Sequence, residues 1–392
     1  MISNGLENIH PKKVVILGST GSIGRQTLDV IAAYPDRFSV IGLAAHHNTK
    51  ELIEQARRFN CAHLALANEN QYAELKTELL PGMNAAVGRE GICELAALPD
   101  ADLVVSAISG AAGILPTIAA LQSGHPIALA NKEALVAAGD LVMKLALDKQ
   151  LSVFPVDSEH SAVFQCLKGE EHQIKKIWLT ASGGPFLGYT RAELERVTPQ
   201  MALKHPSWEM GAKISVDSAT LINKGLEVIE AHHLFNLGYD YIDAIISPGS
   251  LVHALVEMKD GAFLAHLGRP DMRIPIQYAL TYPERWPSPV QPLSLAEAGT
   301  ISFKKPDIDA FPGFSIAISA GLVGGTMPAV MNAANEVAVA HFLNGKISFN
   351  YIPEIITRVM DRHQSQNDPN LDTILQADAW AREVCCSLIE GK

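Results

Sequence analysis

The amino-terminal part of the chain alternates short apolar runs with segments of helical length, and this alternation restricts the fold more than any other feature. The runs are VVIL (14–17), VIGLAA (40–45), LALA (64–67), LVVSAI (103–108), IALA (127–130) and VFPV (153–156). Continuous apolar runs with helical spacers are typical of parallel strands that helices cover on both faces. We therefore predict a doubly wound α/β domain over residues 1–156.

The pattern changes after Val156. A Gly-rich segment, WLTASGGPF (178–186), precedes polar and aromatic residues without clear periodicity, and helix-like sequence resumes near residue 219. Over residues 251–267, LVHALVEMKDGAFLAHL places two alternating runs around a Lys-Asp-Gly turn, which predicts an antiparallel hairpin. Residues 157–285 are thus expected to form a second, α+β domain.

Many of the prolines lie in the next segment, around PERWPSPVQP and KKPDIDAFPGF. Because proline disfavours helix at the residue before it, residues 286–312 are expected to form an extended linker. Beyond it, AVMNAANEVAVAHFL (329–343) and two later segments have amphipathic, helix-like patterns. Residues 313–392 are therefore predicted to form a small C-terminal helical domain.

Length and charge limit the classes of function. A chain of 392 residues exceeds the size at which single cores stop growing, so more than one domain is expected. The formal net charge is −11 and the 31 Lys and Arg are scattered, which argues against a nucleic-acid partner. An anionic small molecule stays compatible with this charge, since a local pocket can be positive.

The cysteines and the apolar runs bear on the cellular compartment of the protein. The five cysteines form no CxxC pair, which suggests free thiols in a reducing compartment. No apolar run reaches membrane-spanning length, and the N-terminal MISNGLENIHPKK has neither a signal-peptide apolar region nor an Arg- and Ser-rich transit pattern. We expect a cytoplasmic protein with no membrane partner.

The segment KKVVILGSTGSIGRQTLDVI (12–31) places Gly18, Gly21 and Gly24 between a predicted strand and a predicted helix. In such a turn, glycines let the backbone approach a pyrophosphate, and the helix N-terminus supplies N–H donors. A Rossmann-like dinucleotide site is therefore predicted, although tight turns also use glycines. The second strand ends at His46, His47 and Asn48 without a carboxylate that would repel a 2′-phosphate, which favours NADP over NAD. Solvated histidines at a strand end are the alternative.

Two carboxylates follow the last apolar run, in VFPVDSEH (153–160). If the chain stays extended there, Asp157 and Glu159 point to the same side, at the strand end where ligands bind in open α/β sheets. Close carboxylates repel unless a cation or a proton lies between them, and all-oxygen ligands suit Mg²⁺ or Mn²⁺. A solvated acidic turn is the alternative.

A second polar group lies in ISVDSATLINKGLEVIEAHHLF (214–235), which contains Ser218, Asn223, Lys224 and Glu227. Asn223 and Glu227 are four residues apart and therefore share a helix face. A hydroxyl, an amide, an ammonium and a carboxylate could together bind a phosphate and complete a metal site. A solvated helix face is the competing interpretation.

Two further segments could close such a site. SGGPF (182–186) could bind a phosphate through backbone N–H groups and the hydroxyl of Ser182. HPSWEMG (205–211) contains His205 and Trp208 between Pro and Gly, a composition typical of a lid that excludes water. A structural loop anchored by a buried Trp is the alternative.

The ordered set of these segments resembles the 1-deoxy-D-xylulose 5-phosphate reductoisomerase family. GSTGSIG, NKE (131–133), VDSEH, SGGPF, HPSWEMG, VDSAT, NKGLE and NAANE occur in the order found in that family, from about residue 13 to beyond 340. The resemblance implies an enzyme that uses NADPH and Mg²⁺ or Mn²⁺ to convert 1-deoxy-D-xylulose 5-phosphate into 2-C-methyl-D-erythritol 4-phosphate, an early step of the non-mevalonate route to isoprenoids. It also implies a homodimer.

The resemblance assigns expected roles to individual residues. The metal ligands would be Asp157, Glu159 and Glu227. The substrate would be bound by Ser158, Glu159, Ser182, His205, Ser218, Asn223, Lys224 and Glu227, of which Ser182, Ser218, Asn223 and Lys224 would hold the phosphate. Catalysis would involve Lys132, Ser158, Glu159, His205 and Trp208, the last two in a mobile lid. The nucleotide would contact Gly18, Thr20, Gly21, Ser22, Ile23, Gly24, His46, His47, Asn48, Asn131, Lys132, Glu133 and Gly211.

One position departs from the family pattern. Where the family usually has Gly followed by a basic residue before Asn48, this chain has His46 and His47. Histidine carries only a partial positive charge near neutral pH, so a preference for NADPH that rests on these side chains should weaken as pH rises. Two other classes of function stay open from the residues alone: a metal-independent NADP dehydrogenase acting on a semialdehyde or hydroxyacid, and a non-catalytic NADPH-sensing module.

Overall fold

A computed structural model describes residues 10–170 and 173–391 of the chain. Most of the N-terminal segment considered for targeting, MISNGLENI, lies outside the described residues. The chain divides into two compact units, each built from separate stretches of sequence. The first unit contains the chain up to Asn131, Leu145–Val156 and Met272–Val290; the second contains Lys132–Lys144, Asp157–Asp271 and the chain from Gln291 onward.

The strands and helices are numbered in chain order. The strands are β1 (Lys12–Leu17), β2 (Phe38–Ala45), β3 (His63–Leu66), β4 (Asn84–Val87), β5 (Leu103–Ser106), β6 (Ile127–Leu129), β7 (Val153–Pro155), β8 (Ile174–Ala181), β9 (Ile242–Ile246), β10 (Val252–Met258) and β11 (Phe263–Leu267). The helices are α1 (Ser22–Ala32), α2 (Thr49–Phe59), α3 (Tyr72–Glu78), α4 (Gly88–Ala96), α5 (Ile114–Gln122), α6 (Lys132–Asp148), α7 (Ser158–Cys166), α8 (Arg191–Leu194), α9 (Pro199–Ala202), α10 (Ala212–Ala219), α11 (Ile222–Phe235), α12 (Arg273–Thr281), α13 (Leu295–Ala298), α14 (Gly313–Val323), α15 (Met327–Leu343), α16 (Tyr351–Met360) and α17 (Leu371–Glu390).

The first unit is built on a seven-stranded sheet in the order β4-β3-β2-β1-β5-β6-β7, with parallel pairing throughout. Strand order reverses between β1 and β5, which creates a crevice outside their carboxyl ends, where open α/β sheets bind ligands. The predicted doubly wound, Rossmann-like sheet is confirmed. Strand β4 was not predicted, because NAAV begins with a polar residue and is too short to show a pattern.

The core of the first unit also contains residues from far along the sequence. Ile276 and Leu280 of α12 are buried with the apolar residues of the seven-stranded sheet. The indole of Trp286 lies edge-on to Tyr34, with 5.0 Å between ring centroids, and 5.6 Å from Phe38. The predicted boundaries instead place residues 272–285 in the second domain and begin a linker at 286. An apolar helix face does not reveal which sheet it covers, so the sequence pattern could not make this assignment.

The second unit contains a four-stranded sheet in the order β11-β10-β8-β9. The predicted hairpin at 251–267 is present as the antiparallel pair β10 and β11, and β10 also pairs antiparallel with β8. Part of the predicted linker joins this sheet, since Ile246 at the end of β9 and Lys304 exchange backbone hydrogen bonds of 2.8 and 2.9 Å. Lys304 is itself not a proline and therefore has the N–H that this pairing needs.

The C-terminal helices share a core with the middle of the chain. Met331 and Phe342 of α15 and Ile352 of α16 are buried in one cluster with Val216 of α10 and Leu226 of α11. The helices predicted beyond residue 313 are present, but they and residues 157–271 form one compact unit rather than two domains. Among the described residues, no helix combines the length and the apolar character needed to cross a membrane.

Candidate functional site

The loop between β1 and α1 is shaped by its glycines. Gly18 adopts φ +87°, and a Cβ there would lie 2.5 Å from the carbonyl oxygen of Ala107. A Cβ on Gly24 would overlap the carbonyl oxygen of Gly18, so α1 can approach the loop only without a side chain at this position. The predicted glycines therefore have the steric roles that a dinucleotide loop requires.

The N-terminus of α1 offers backbone donors. Gly21 is the N-cap of α1 and provides no side-chain acceptor, so the first N–H groups of the helix remain available to an anion. Ser22 and Ile23 form its first turn, and Thr20 precedes the cap. The donor set and the close backbone approach fit the pyrophosphate of a dinucleotide.

The end of β2 carries the three predicted nucleotide contacts His46, His47 and Asn48. The Nδ1 atoms of the two histidines lie 3.1 Å apart, in exposed positions. Asn48 is the N-cap of α2: its Oδ1 accepts from the Glu51 N–H at 3.3 Å, and its Nδ2 donates to Glu51 Oε2 at 2.7 Å. Both polar atoms of the Asn48 side chain therefore hold the turn between β2 and α2.

Asn131 is nearly fully buried and supports the loop that follows β5. Its Nδ2 donates to the carbonyl oxygens of Ile108 at 2.7 Å and Gly110 at 2.9 Å. Since β5 is the neighbour of β1, Asn131 shapes the other side of the predicted crevice. Lys132 and Glu133, the other residues of the NKE segment, belong to the second unit.

A cluster of carboxylates and lysines lies in the second unit, around the start of α7. Asp157 is the N-cap of α7, and Ser158 and Glu159 form its first turn. The expectation that Asp157 and Glu159 share a side of an extended chain is therefore wrong. Their carboxylates nevertheless converge, because the N-cap and the first turn of a helix bring both side chains to the same end. Ser158 Oγ donates to Glu159 Oε2.

Helix α11 completes the cluster with Asn223, Lys224 and Glu227. Asn223 Nδ2 donates to Glu227 Oε1, which confirms that these two side chains share a face. Lys224 forms ion pairs with Glu227 and, at 2.7 Å, with Glu159 Oε1. The carboxylate of Glu227 is almost fully buried, so charged partners must replace its hydration.

Lys132 contacts carboxylates from both the start of α7 and helix α11. Its Nζ lies 2.6 Å from Asp157 Oδ2, 3.1 Å from Glu227 Oε1 and 2.8 Å from Asn223 Oδ1. Burial alone would lower the pKa of this ammonium, but Asp157 and Glu227 raise it well above its ordinary value. Lys132 is therefore a permanent cation at the centre of the cluster.

Oxygens of Asp157, Glu159 and Glu227 all lie within 4.8 Å of one another, so one ion could contact the three side chains. Burial and then the neighbouring Glu159 raise the pKa of Glu227. A bound cation would relieve the repulsion between these two carboxylates. Burial opposes ionisation of Asp157, yet Lys132 holds its pKa below the usual range. An all-oxygen set of this kind fits Mg²⁺ or Mn²⁺.

Two buried neighbours of this cluster were not predicted. His160 Nε2 lies 2.8 Å from the carbonyl oxygen of Glu227 and therefore carries the proton that it donates. Glu230 Oε2 lies 3.6 Å from His160 Nδ1, and burial, followed by Asp157, raises the pKa of Glu230 well above its ordinary value. Asp157, His160 and Glu230 also lie within 4.8 Å of one another, but a protonated Glu230 is a poor metal ligand. The His in VDSEH was the available sequence signal.

The predicted lid and phosphate loop contact each other. His205 Nδ1 accepts from the N–H groups of Ser207 at 3.2 Å and Trp208 at 3.0 Å, so the proton resides on Nε2, which donates to Ser182 Oγ at 2.9 Å. Burial lowers the pKa of His205, which favours this neutral form. The Gly184 N–H donates to Ser182 Oγ at 3.1 Å. Trp208 is half-buried, with its ring 6.2 Å from that of His253.

Ser218 lies next to the same loop. A Cβ on Gly184, which has φ +69°, would lie 3.0 Å from the carbonyl oxygen of Ser218. The four predicted phosphate ligands are thus distributed between this loop, with Ser182 and Ser218, and the carboxylate cluster, where Asn223 and Lys224 contact Glu227.

An unpredicted lysine orders the end of the lid segment. Gly211 is the N-cap of α10, and Lys213 in the first turn lies 2.7 Å from Glu133 and 2.8 Å from Asp217. Asn335 of the NAANE segment donates to the other Asp217 oxygen at 2.9 Å. The i,i+4 spacing of Lys213 and Asp217 was the only local signal for this network.

Comparison with known proteins gives the family. Models described as 1-deoxy-D-xylulose 5-phosphate reductoisomerase and its C-terminal domain match residues 14–139 and 153–235, and a DXP reductoisomerase C-terminal domain model matches 267–384. The chain is 54% identical to the 1-deoxy-D-xylulose 5-phosphate reductoisomerase of Pelotomaculum thermopropionicum, over 96% of this chain and 98% of that protein. The chain belongs to the 1-deoxy-D-xylulose 5-phosphate reductoisomerase family.

Solved structures of the 1-deoxy-D-xylulose 5-phosphate reductoisomerase family share the whole fold. The Zymomonas mobilis enzyme in complex with NADPH is 41% identical, with a TM-score of 0.91 over 97% of this chain and 100% of that chain. A crystal structure of DOX-P reductoisomerase in complex with NADPH, fosmidomycin and magnesium is 40% identical, with a TM-score of 0.94 over 97% and 98% of the two chains. The predicted family, fold class and oxidoreductase activity are confirmed.

Proposed function

We propose that this chain isomerises and reduces 1-deoxy-D-xylulose 5-phosphate to 2-C-methyl-D-erythritol 4-phosphate, with NADPH as the hydride donor and Mg²⁺ or Mn²⁺ as the metal. The observation that carries the proposal is the convergence of Asp157, Glu159 and Glu227 within 4.8 Å, beside two buried lysines. A family member of the same fold binds NADPH, fosmidomycin and magnesium together.

Asp157, Glu159 and Glu227 would hold the metal. A divalent cation at this position would polarise the ketone and hydroxyl oxygens of the substrate as a Lewis acid while the carbon skeleton rearranges. Lys132 would donate a hydrogen bond to a substrate oxygen that gains negative charge, since its Nζ already lies among the carboxylate oxygens. Ser158, in the first turn of α7, would contact a second substrate oxygen.

The substrate phosphate would be bound by Ser182, Ser218, Asn223 and Lys224. Gly183 and Gly184 of this loop take positive φ angles, the backbone geometry of anion-binding turns, and Ser182 would add its hydroxyl. Binding energy from this non-reacting group can orient the reacting end of the substrate.

His205 and Trp208 would close the site. Because His205 accepts two lid N–H groups through Nδ1 and donates to Ser182 through Nε2, it couples the lid segment to the phosphate loop. A phosphate that engages Ser182 therefore acts on the same hydroxyl that holds the lid. Closure would exclude water from the reacting carbonyl.

NADPH would bind at the carboxyl ends of β1, β2 and β5. The pyrophosphate would lie over the N-terminus of α1, where Gly18, Gly21 and Gly24 allow close approach. His46 to Asn48 would face the adenosine ribose, and Asn131 shapes the loop after β5.

We further propose a homodimer in the cytoplasm. Edge strand β11 exposes Phe263 (54%), Leu264 (36%) and Leu267 (39%), an apolar surface of the kind that pairs with a second copy. The five cysteines are free in the structure, which is typical of a reducing compartment.

The test is NADPH oxidation, followed by absorbance, with purified chain and 1-deoxy-D-xylulose 5-phosphate. We expect oxidation only when substrate and Mg²⁺ or Mn²⁺ are both present, loss on addition of EDTA, and recovery when metal is restored in excess. The product should be the branched polyol phosphate. Oxidation that persists without metal, or no oxidation with all components, would contradict the proposal.

A further inference from the structure

Arg25 forms a two-pronged ion pair beside the glycine loop. It directly follows Gly24 in the first turns of α1, and its Nε and Nη2 lie 2.5 and 2.6 Å from Oε1 and Oε2 of Glu51. The Arg25 side chain is 56% exposed. Exposed ion pairs contribute little to stability, so this pair is not explained by a contribution to folding.

The carboxylate that Arg25 holds is attached to the end of β2. Asn48 Nδ2 donates to Glu51 Oε2 at 2.7 Å, and Asn48 itself follows His47. Gln55, one turn further along α2, donates to the carbonyl oxygen of Ser19 at 3.0 Å, which ties α2 to the glycine loop. Glu51 therefore bridges Arg25 to Asn48, which follows β2. The bonds of Glu51 and Gln55 hold α2 against the residues of α1 and the glycine loop.

In this fold the end of the second strand faces the adenosine ribose, where NADPH differs from NADH by a 2′-phosphate. The residues at this strand end are two histidines and an asparagine, none of which is a permanent cation. A guanidinium is a permanent cation whose fork of N–H donors matches phosphate as well as carboxylate.

We propose that Arg25 binds the 2′-phosphate of NADPH, and that Glu51 occupies the guanidinium only until the phosphate replaces it. The inference rests on the proposed use of NADPH and names the residue that selects this cofactor. Glu51 is then an internal competitor: its negative charge must leave Arg25 before the nucleotide's charge can take its place.

The test is the dissociation constant of NADPH and of NADH for four proteins, measured by the fluorescence of the bound nucleotide without substrate. In Arg25→Ala, NADPH should bind about 10- to 100-fold more weakly, as expected when a hydrogen bond to a charged group is lost, and NADH should change by less than about twofold. In Glu51→Gln, NADPH should bind several-fold more tightly, with NADH again unchanged.

Lys50→Ala is the matched control, because it removes one positive charge from an exposed side chain in the first turn of α2. It should preserve the NADPH-to-NADH ratio. The assignment of Arg25 is overturned if Arg25→Ala weakens both nucleotides equally, if it weakens neither, or if Lys50→Ala has the effect expected of Arg25→Ala. A wild-type chain that binds neither nucleotide would overturn the proposed function as well, so the two failures are distinguishable.

Discussion

Glu227→Gln tests the metal site most directly, because the substitution preserves the shape of the side chain and removes its charge. Glu227 is almost fully buried, and its carboxylate contacts Lys132, Lys224 and Asn223. Loss of an outer partner of a metal ligand typically weakens metal binding by about 10- to 100-fold. Loss of a ligand's charge should therefore cost about 100-fold or more, or roughly 3 kcal/mol.

The effect on turnover follows from the same loss. Lewis-acid polarisation typically supplies several kcal/mol, and each ~1.4 kcal/mol corresponds to a factor of about ten in rate. We therefore expect turnover at fixed Mg²⁺ to fall by on the order of 10²- to 10³-fold. Affinity for NADPH should stay nearly unchanged, since the glycine loop belongs to the first unit and Glu227 to the second.

The fold should survive this substitution. Breaking a buried ion pair can cost about 3–5 kcal/mol when it leaves a charge without a partner. Here Lys132 keeps Asp157 at 2.6 Å and Lys224 keeps Glu159 at 2.7 Å, so about 1–2 kcal/mol is expected instead. Thermal unfolding of the variant would verify this.

The assay is turnover and NADPH binding titrated against Mg²⁺, with Glu230→Gln as the matched control. Glu230 lies one turn along the same helix, and burial raises its pKa, which favours the neutral form that the amide mimics. Neither Glu230 oxygen has a hydrogen-bond partner within the described part of the chain, so this variant should change metal affinity by much less than the about 10- to 100-fold typical of a lost outer partner. Wild-type metal dependence in Glu227→Gln, or an equal loss in both variants, would refute the assignment of Glu227 as a ligand.

Three further outcomes are expected. Trp208→Ala should lower kcat about tenfold through impaired lid closure, with a melting temperature within ~2 °C of wild type because the side chain is only half-buried; a large drop in melting temperature would instead favour a structural loop. Burial lowers the pKa of His253 from 6.5 to about 4. The unfolded chain therefore binds the extra proton between these values, and stability in urea should fall by up to about 3 kcal/mol as pH drops through this window. His253→Asn should flatten that slope, and an unchanged slope would contradict the cause. Finally, arginine stays protonated between about pH 6 and pH 8, so a preference for NADPH over NADH that rests on Arg25 should be the same at both values. A preference that declines as pH rises would assign the phosphate contact to His46 and His47 rather than Arg25.

The first unit was largely predictable, because its strands are buried on both faces and appear as continuous apolar runs. The run at 103–108 corresponds to β5, and the glycines that follow β1 have the steric roles expected of them. The packing of α12 and Trp286 in this unit was not predictable, since periodicity shows that a face is buried but not what covers it.

The site was predictable in its residue types and less so in its geometry. Asp157 and Glu159 converge through a helix start rather than an extended strand. Asp is a preferred N-cap residue and Glu159 an acidic first-turn residue, but an acidic turn at a strand end has the same residue types, so the signal did not separate the two. The pair of Arg25 with Glu51 spans 26 residues, and that of Lys132 with Glu227 spans 95. Contacts of this range depend on how elements pack, which a single sequence does not record.

The charges of the cluster explain why metal and anionic substrate should depend on each other. Asp157, Glu159 and Glu227 formally contribute three negative charges, and Lys132 and Lys224 two positive ones, while the raised pKa of Glu230 favours its neutral form. The cluster alone is thus slightly negative, which attracts a divalent cation and repels a phosphate ester. With the cation bound its sign reverses and an anion is attracted. Because coupling between two ligands is reciprocal, substrate should in turn tighten the binding of the metal.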